Sequence, residues 1–229
     1  MNGGANHAGA QVQAPVTVLI MARAARRGEV RRALEPLLGV DGAVALHAAL
    51  LVQTLVWATQ VAGEHVYIAH EPADAGPEFR ALLGSGVHLF PQNGEGIARR
   101  VADAVARVYS HVTAPILVVW PDLPQLRPEH AQAALSDLAD GADLVLGPTF
   151  EGGFYLVGLS RPLSWLFELP EQFWRSADGF GAAFTAANAA RHEVGLLRPE
   201  RALHRPADVR ALLADPTIPA PLAKALGQR

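Results

Sequence analysis

Three short stretches carry the residue types that could do chemistry. In RAARRGEVRR, Arg23, Arg26, Arg27, Arg31 and Arg32 surround Gly28 just before a helical stretch. Guanidinium forks suit phosphate oxygens, so a nucleotide diphosphate is the natural ligand for this loop. The spacing is not that of a P-loop, which needs Gly-x-x-x-x-Gly-Lys-Ser/Thr, and a solvated basic loop is the alternative. In VVWPDLPQLRPEH, Asp122 is the one carboxylate between Pro121 and Pro124, at the end of an apolar run. A carboxylate there can hold a metal ion or a phosphate, or it can complement the dipole of the helix that follows. In FEGGFYLVGL, Glu151 precedes Gly152 and Gly153. Paired glycines imply a backbone that passes close to something or takes a positive φ, though a plain turn explains them too.

Such residues need a scaffold that gathers them. From Val16 onward short β-branched runs alternate with longer helical stretches, the pattern of a mostly parallel sheet covered by helices. Strands are expected at 16–22, 65–69, 87–90, 115–120, 143–148, 152–159 and 192–199. A helix is expected over 41–61, with Val44, Ala48, Leu51 and Leu55 on its apolar face. A short helix falls near Glu78 to Leu83. Another follows PQNGEG, with Ile97, Val101, Val105 and Val108 on one face and a solvated face of Arg99, Asp103 and Arg107. Pro128 opens a helix that Gly141 ends, a Phe/Trp-rich segment spans 165–184, and Pro206 opens the last helix. Ligands of open α/β sheets bind outside the carboxyl ends of the strands. The three stretches all follow or precede strands at that end.

The chain has 229 residues, half of them hydrophobic and 18% charged, enough for one large core. Lys and Arg total 19 against 22 Asp and Glu, with no long basic block, so nothing marks a nucleic-acid or anionic membrane partner. The absence of cysteine excludes disulfides, thiolate chemistry and Cys-based zinc sites, and fits a cytoplasmic enzyme. Residues 1–14 lack the charged start and apolar segment of a signal peptide and read as a disordered lead-in to a single domain over 15–229. No uninterrupted apolar run approaches the roughly 20 residues of a membrane span.

The order of VLIMARAARRGEVRRALEPLLG, GEGIARRVADAV, VVWPDLPQLRPEHAQAAL, DLVLGPTFEGGFYLVGL and RPADVRALL resembles a known family over roughly residues 16 to 215. This is the GT-A-fold, nucleotide-diphospho-sugar transferase-like family, a domain of unknown function with some members described as arsenosugar- or selenosugar-type glycosyltransferases. The most specific match is Gly147, Pro148 and Glu151 to Leu159, against Gly-Pro-x-x-(Asp/Glu)-Gly-Gly-(Tyr/Phe)-Tyr-Leu-(Ile/Val)-Gly-Leu. The resemblance implies a three-layer α/β/α sandwich with a mixed, mainly parallel sheet. It implies a nucleotide or nucleotide sugar and a small-molecule acceptor as partners, possible homo-oligomers, and a divalent metal, Mn or Mg. By position, Asp122 and Glu151 are implied as catalytic, and Arg23, Arg27, Gly28, Arg31 and Arg100 as nucleotide- or phosphate-binding. Gly152, Gly153 and Tyr155 would form the acceptor-side loop.

Departures from the family's pattern are concentrated at the metal. Where the family has Asp-x-Asp-Thr-Pro-x-Asp-Leu, this chain has Ala202, Leu203, His204, Arg205, Pro206, Ala207, Asp208 and Val209, so both leading acids are gone. Trp120 stands near a family glycine, and Arg23 and Arg31 replace lysines. A hard cation wants oxygen ligands, so a metal would fall to Asp122 and His204. Three functions remain: sugar transfer from a nucleotide, nucleotidyl transfer, and a catalytically degenerate binding or assembly module. For the last, Trp165, Phe167, Phe173 and Trp174 would form a partner surface.

Overall fold

The apolar runs become seven strands: β1 (Thr17–Arg23), β2 (Val66–Glu71), β3 (His88–Pro91), β4 (Ile116–Val119), β5 (Leu144–Pro148), β6 (Phe154–Leu159) and β7 (Val194–Leu196). The structure is a computed structural model that describes residues 15–113, 115–174 and 179–227, so the expected lead-in lies outside the described residues. The strands form one sheet in the order β3-β2-β1-β4-β6-β5-β7. All pairings are parallel except those of β6, which is antiparallel to both neighbours. Helices α1 (Glu35–Ala62), α2 (Gly76–Leu83) and α4 (Pro128–Ala139) cover one face. The other face carries α3 (Gly96–Tyr109), α5 (Ser164–Phe167) and α6 (Gly179–Ala189). Successive β1 residues show both layers, Val18 and Ile20 packing with Leu51 and Trp57, Leu19 and Met21 with Val101 and Val105. A sheet covered on both faces has no polar side, which is why β4 is buried at every residue and reads as an unbroken apolar run.

The single α/β domain with a mixed, mainly parallel sheet is as expected; several local features are not. Helix α1 begins at Glu35, but Gly39 at φ 70° breaks its first turn from the rest. Its buried face is Ala43, Leu46, His47, Leu50, Leu51, Thr54, Trp57 and Ala58, so of the four residues expected on that face only Leu51 is buried. The helix is apolar nearly all round, and periodicity cannot select one side of such a helix. By length and composition alone Arg32–Ala62 is long and apolar enough to cross a membrane, although Arg32, Glu35, Asp41, His47 and Gln53 interrupt its apolar run; here it packs against the sheet. The last helix, α7 (Pro206–Leu213), is followed by α8 (Ala220–Ala225), which closes a third cluster with the start of α1. Of the aromatic residues expected at a partner surface, Trp174 is buried and Trp165 and Phe167 are partly buried against the core, while the Phe173 side chain lies outside the described residues.

The family-like run at β5 and β6 is largely explained by packing. A Cβ on Gly147 would lie 2.6 Å from the Tyr155 ring, so the glycine makes room for that tyrosine. Tyr155, expected in the acceptor-side loop, is turned into the core at 1% exposure, and its hydroxyl donates to the Arg198 carbonyl at 3.2 Å.

Candidate functional site

Arg23 and Asp122 stand at the carboxyl ends of β1 and β4. Ile20 pairs with Val119, so the two strands leave the sheet in step, ending at Arg23 and just before Asp122. From β1 the chain passes to β2 on one side, while β4 lies on the other. This reversal of strand order opens the crevice in which α/β sheets bind ligands.

Asp122 is fixed by Arg31. The guanidinium donates to Asp122 Oδ1 and the Pro121 carbonyl, both at 2.6 Å, and to the Leu203 carbonyl at 2.8 Å. Leu203 N–H in turn donates to the Asp122 carbonyl at 2.8 Å. One arginine thus ties together the loops after β1, β4 and β7. Arg31 itself sits at φ 50°, a conformation costly for a side-chain-bearing residue and held by these bonds. Its side chain is 6% exposed, that of Asp122 31%. Burial alone would raise the Asp122 carboxyl, but the charges of Arg31 and His204 outweigh it and hold the group below the usual carboxylate range. On the α1 side, His47 Nε2 lies 2.9 Å from the Arg23 carbonyl, to which a neutral ring donates. Burial, aided by Arg31, pushes this imidazole down to about 4.

The basic loop differs from its sequence reading, because its arginines meet acids. Arg23 and Glu71 are cross-strand partners and form an ion pair, joined by Arg100 at 3.1 Å from the same carboxylate. Arg26 binds Asp74 and Glu78, and Arg27 pairs with Asp41. Arg27 and Arg31 are therefore spoken for by Asp41 and Asp122. Gly28 supplies a turn at φ 71°. Only the Arg23, Arg100 and Glu71 cluster carries a surplus positive charge among these pairs.

Beside Asp122 a cavity of about 420 Å³ opens, lined among others by Trp120, Asp122, Glu151, Trp174, His204 and Arg205. Glu151 enters from the β5–β6 turn, which Thr149 closes through its N–H to the Gly153 carbonyl at 3.1 Å and its Oγ1 to the Gly152 carbonyl at 2.5 Å. Gly152 and Gly153 take φ 99° and 81°, and a Cβ on Gly153 would lie 3.1 Å from the Trp174 carbonyl. Both glycines are therefore required by the turn and by the segment packed upon it. Glu151 Oε1 lies 3.5 Å from Arg201. Oε2 is buried without a hydrogen-bond partner, as is Trp174 Nε1.

His204 shares the cavity with Asp122, as a bridging metal would require. The donor set nevertheless fails to fit a hard cation. No group of three or more His, Cys, Asp or Glu side chains that could hold a metal occurs among the described residues. One Asp122 oxygen already accepts from Arg31, Glu151 faces Arg201 through Oε1 at 3.5 Å, and Asp208 is 2% exposed and caps α7 through the N–H groups of His204 and Arg205.

Sequence reasoning passed over Glu71 and Glu171, and it read Trp174 as part of a partner surface rather than as a wall of the cavity. Glu171 accepts from the N–H of Ile97 at 2.7 Å and of Ala98 at 3.3 Å, capping α3, and a Cβ on Gly96 would meet its carboxylate at 2.6 Å. The signal for it was the glycine pair Gly94 and Gly96, which marks a close approach without naming the partner.

The architecture is that of nucleotide-diphospho-sugar transferase-like proteins. A proposed nucleotide-diphospho-sugar transferase from Desulfovibrio desulfuricans G20 is similar at TM-score 0.80 and 22% identity, over 92% of this chain and 96% of that one. A cytidylyltransferase from Leptospira borgpetersenii is similar at TM-score 0.54 and 15% identity, over 87% and 85% of the two chains. A 4-diphosphocytidyl-2C-methyl-D-erythritol synthase is similar at TM-score 0.54 and 13% identity, over 89% and 100%. Among curated proteins none matches the sequence. Residues 54–171 match the profile of a family described as an uncharacterized protein conserved in bacteria.

Proposed function

The chain belongs to this bacterial family, DUF2064, and we propose that it binds a nucleoside diphosphate sugar at the β1–β4 crevice and transfers the sugar to a small acceptor. The observation that supports the reading is a set of three features around the carboxyl ends of β1, β2 and β4: Arg23 and Arg100 sharing the Glu71 carboxylate, a carboxylate at Asp122 fixed by Arg31, and a cavity beside Asp122. In this reading the diphosphate lies over Arg23 and Arg100, whose charge exceeds that of Glu71 and favours a dianionic leaving group. The remaining lone pairs of Asp122 accept a hydroxyl of the transferred sugar and fix its position. An acceptor hydroxyl in the cavity attacks the anomeric carbon as the bond to the diphosphate oxygen breaks. The acceptor's proton passes to Glu151, and the electron pair leaves with the nucleoside diphosphate. Nucleotidyl transfer to a phosphate-bearing acceptor suits the cavity less well, since Asp122 and Glu151 would face the incoming anion.

Calorimetric titration with nucleoside diphosphate hexoses and with the matching nucleosides tests the binding. Arg23→Ala and Arg100→Ala are each expected to weaken the diphosphate ligands about tenfold, the loss of one charge-assisted hydrogen bond, with the nucleosides unaffected. Arg27→Ala should change neither, because Asp41 already holds that side chain. Equal losses for both ligand types, or a dominant effect of Arg27, would argue against a diphosphate over Arg23 and Arg100.

A further inference from the structure

Among the described residues that line the cavity, two carry a buried side-chain polar atom without a hydrogen-bond partner, and the two atoms differ in kind. Glu151 Oε2 is an acceptor and Trp174 Nε1–H a donor. Neither is an accident of a loose surface. Glu151 is 12% exposed in its side chain and is held from the other oxygen by Arg201, which also binds Asp208 at 3.2 Å and stacks over Phe150. Trp174 is 5% exposed, lies parallel to Phe167 with ring centroids 5.9 Å apart, and meets Phe154 edge-on. Its carbonyl rests against Gly153, beside Glu151 in the turn. Native proteins leave few buried polar atoms unsatisfied, and a donor and an acceptor left over in one cavity specify what should enter it.

We infer that this cavity binds an uncharged, ring-shaped polyol, a sugar or cyclitol, one hydroxyl donating to Glu151 Oε2 and one oxygen accepting from Trp174 Nε1–H. A hydroxyl does both without carrying charge. The apolar lining suits the other surface of such a ring: Trp120, Phe154 and Ile97 offer flat or aliphatic area to its C–H faces. Charge gives the discrimination. A phosphorylated sugar would bring its dianion to a cavity holding both Asp122 and Glu151, and the cation that lines it, Arg205, is exposed. The inference rests on the transferase reading only in calling this compound the acceptor; its binding needs no nucleotide.

Saturation-transfer NMR on the full chain, with methyl β-glucoside and myo-inositol as neutral probes and glucose 1-phosphate as the charged one, tests it. The neutral probes should bind saturably, glucose 1-phosphate at least about tenfold more weakly. Glu151→Gln, which keeps shape but removes the charge, and Trp174→Phe, which removes the donor, should each weaken the neutral probes about tenfold. Thermal melts identify a variant that fails to fold, and Glu151→Gln then decides alone. Absence of neutral binding, preference for the phosphate, or neutral binding unchanged in Glu151→Gln would overturn the inference. The nucleotide titration above reads a different set of residues, so failure here and failure of the transferase reading are separately visible.

Discussion

Asp122→Ala is expected to lower stability by about 3 kcal/mol, because it strands the buried Arg31 guanidinium. Arg31→Met is expected to cost at least as much, since the Pro121 and Leu203 carbonyls lose their donor together with Asp122. The 31% exposure of the Asp122 side chain places its loss at the lower end of the range for broken buried pairs, roughly 3 to 5 kcal/mol. Replacing both residues, as Arg31→Met with Asp122→Leu, should cost well under the sum, the signature of two groups whose main role is to satisfy each other. Urea unfolding of the four proteins measures this. An Asp122→Ala variant within about 0.5 kcal/mol of the parent, the range of ordinary surface substitutions, would mean that the pair does not organise the three loops.

Acidification supplies the second large effect, through His47. Its imidazole is depressed from 6.5 to about 4 in the folded protein, so between those values the unfolded chain takes up a proton that the folded protein refuses. Stability is therefore fully present above about pH 6.5, falls as pH drops through the window, and stops falling from this cause below about pH 4. The loss from this one group is on the order of 3 kcal/mol. His47→Gln, whose amide still donates to the Arg23 carbonyl, should flatten the difference between the two stability profiles across that window. Parallel profiles for parent and variant between pH 4 and 6.5 would show that His47 titrates normally. Asp122 acts lower on the scale: its carboxyl is depressed, so its contribution is present above the ordinary carboxylate range and is lost below it.

What could be read from the sequence was what depends on neighbours in the chain. PILVVW announces a strand buried on both sides, and it places Asp122 at the strand's carboxyl end without any knowledge of the fold. Glu151, Gly152 and Gly153 likewise declare a tight turn, and the positive φ values bear this out. Partners distant in sequence could not be read. Arg31 reaches Asp122 and Leu203 across 91 and 172 positions, and the acids that hold Arg23 and Arg26 arrive 48 to 52 residues later. A loop that reads as basic is thereby largely neutralised. Tyr155 was misplaced for a different reason. In a strand with both faces covered, alternation gives no inside and outside, and only the clash that a Cβ on Gly147 would make with its ring reveals which way it points. The role of Trp174 in the cavity depends on a short turn, Glu171–Trp174, folding back over the β5–β6 loop, and composition carries no trace of that.

Phosphorus NMR of the reaction mixture tests sugar transfer most directly. The protein is incubated with nucleoside diphosphate hexoses and a neutral polyol, and in parallel with nucleoside triphosphates and hexose 1-phosphates. Release of nucleoside diphosphate in the first mixture, dependent on the polyol and lost in Glu151→Gln, is the expected result. Pyrophosphate appearing in the second mixture while the first stays unchanged would contradict it and identify the crevice as a nucleotidyl-transfer site.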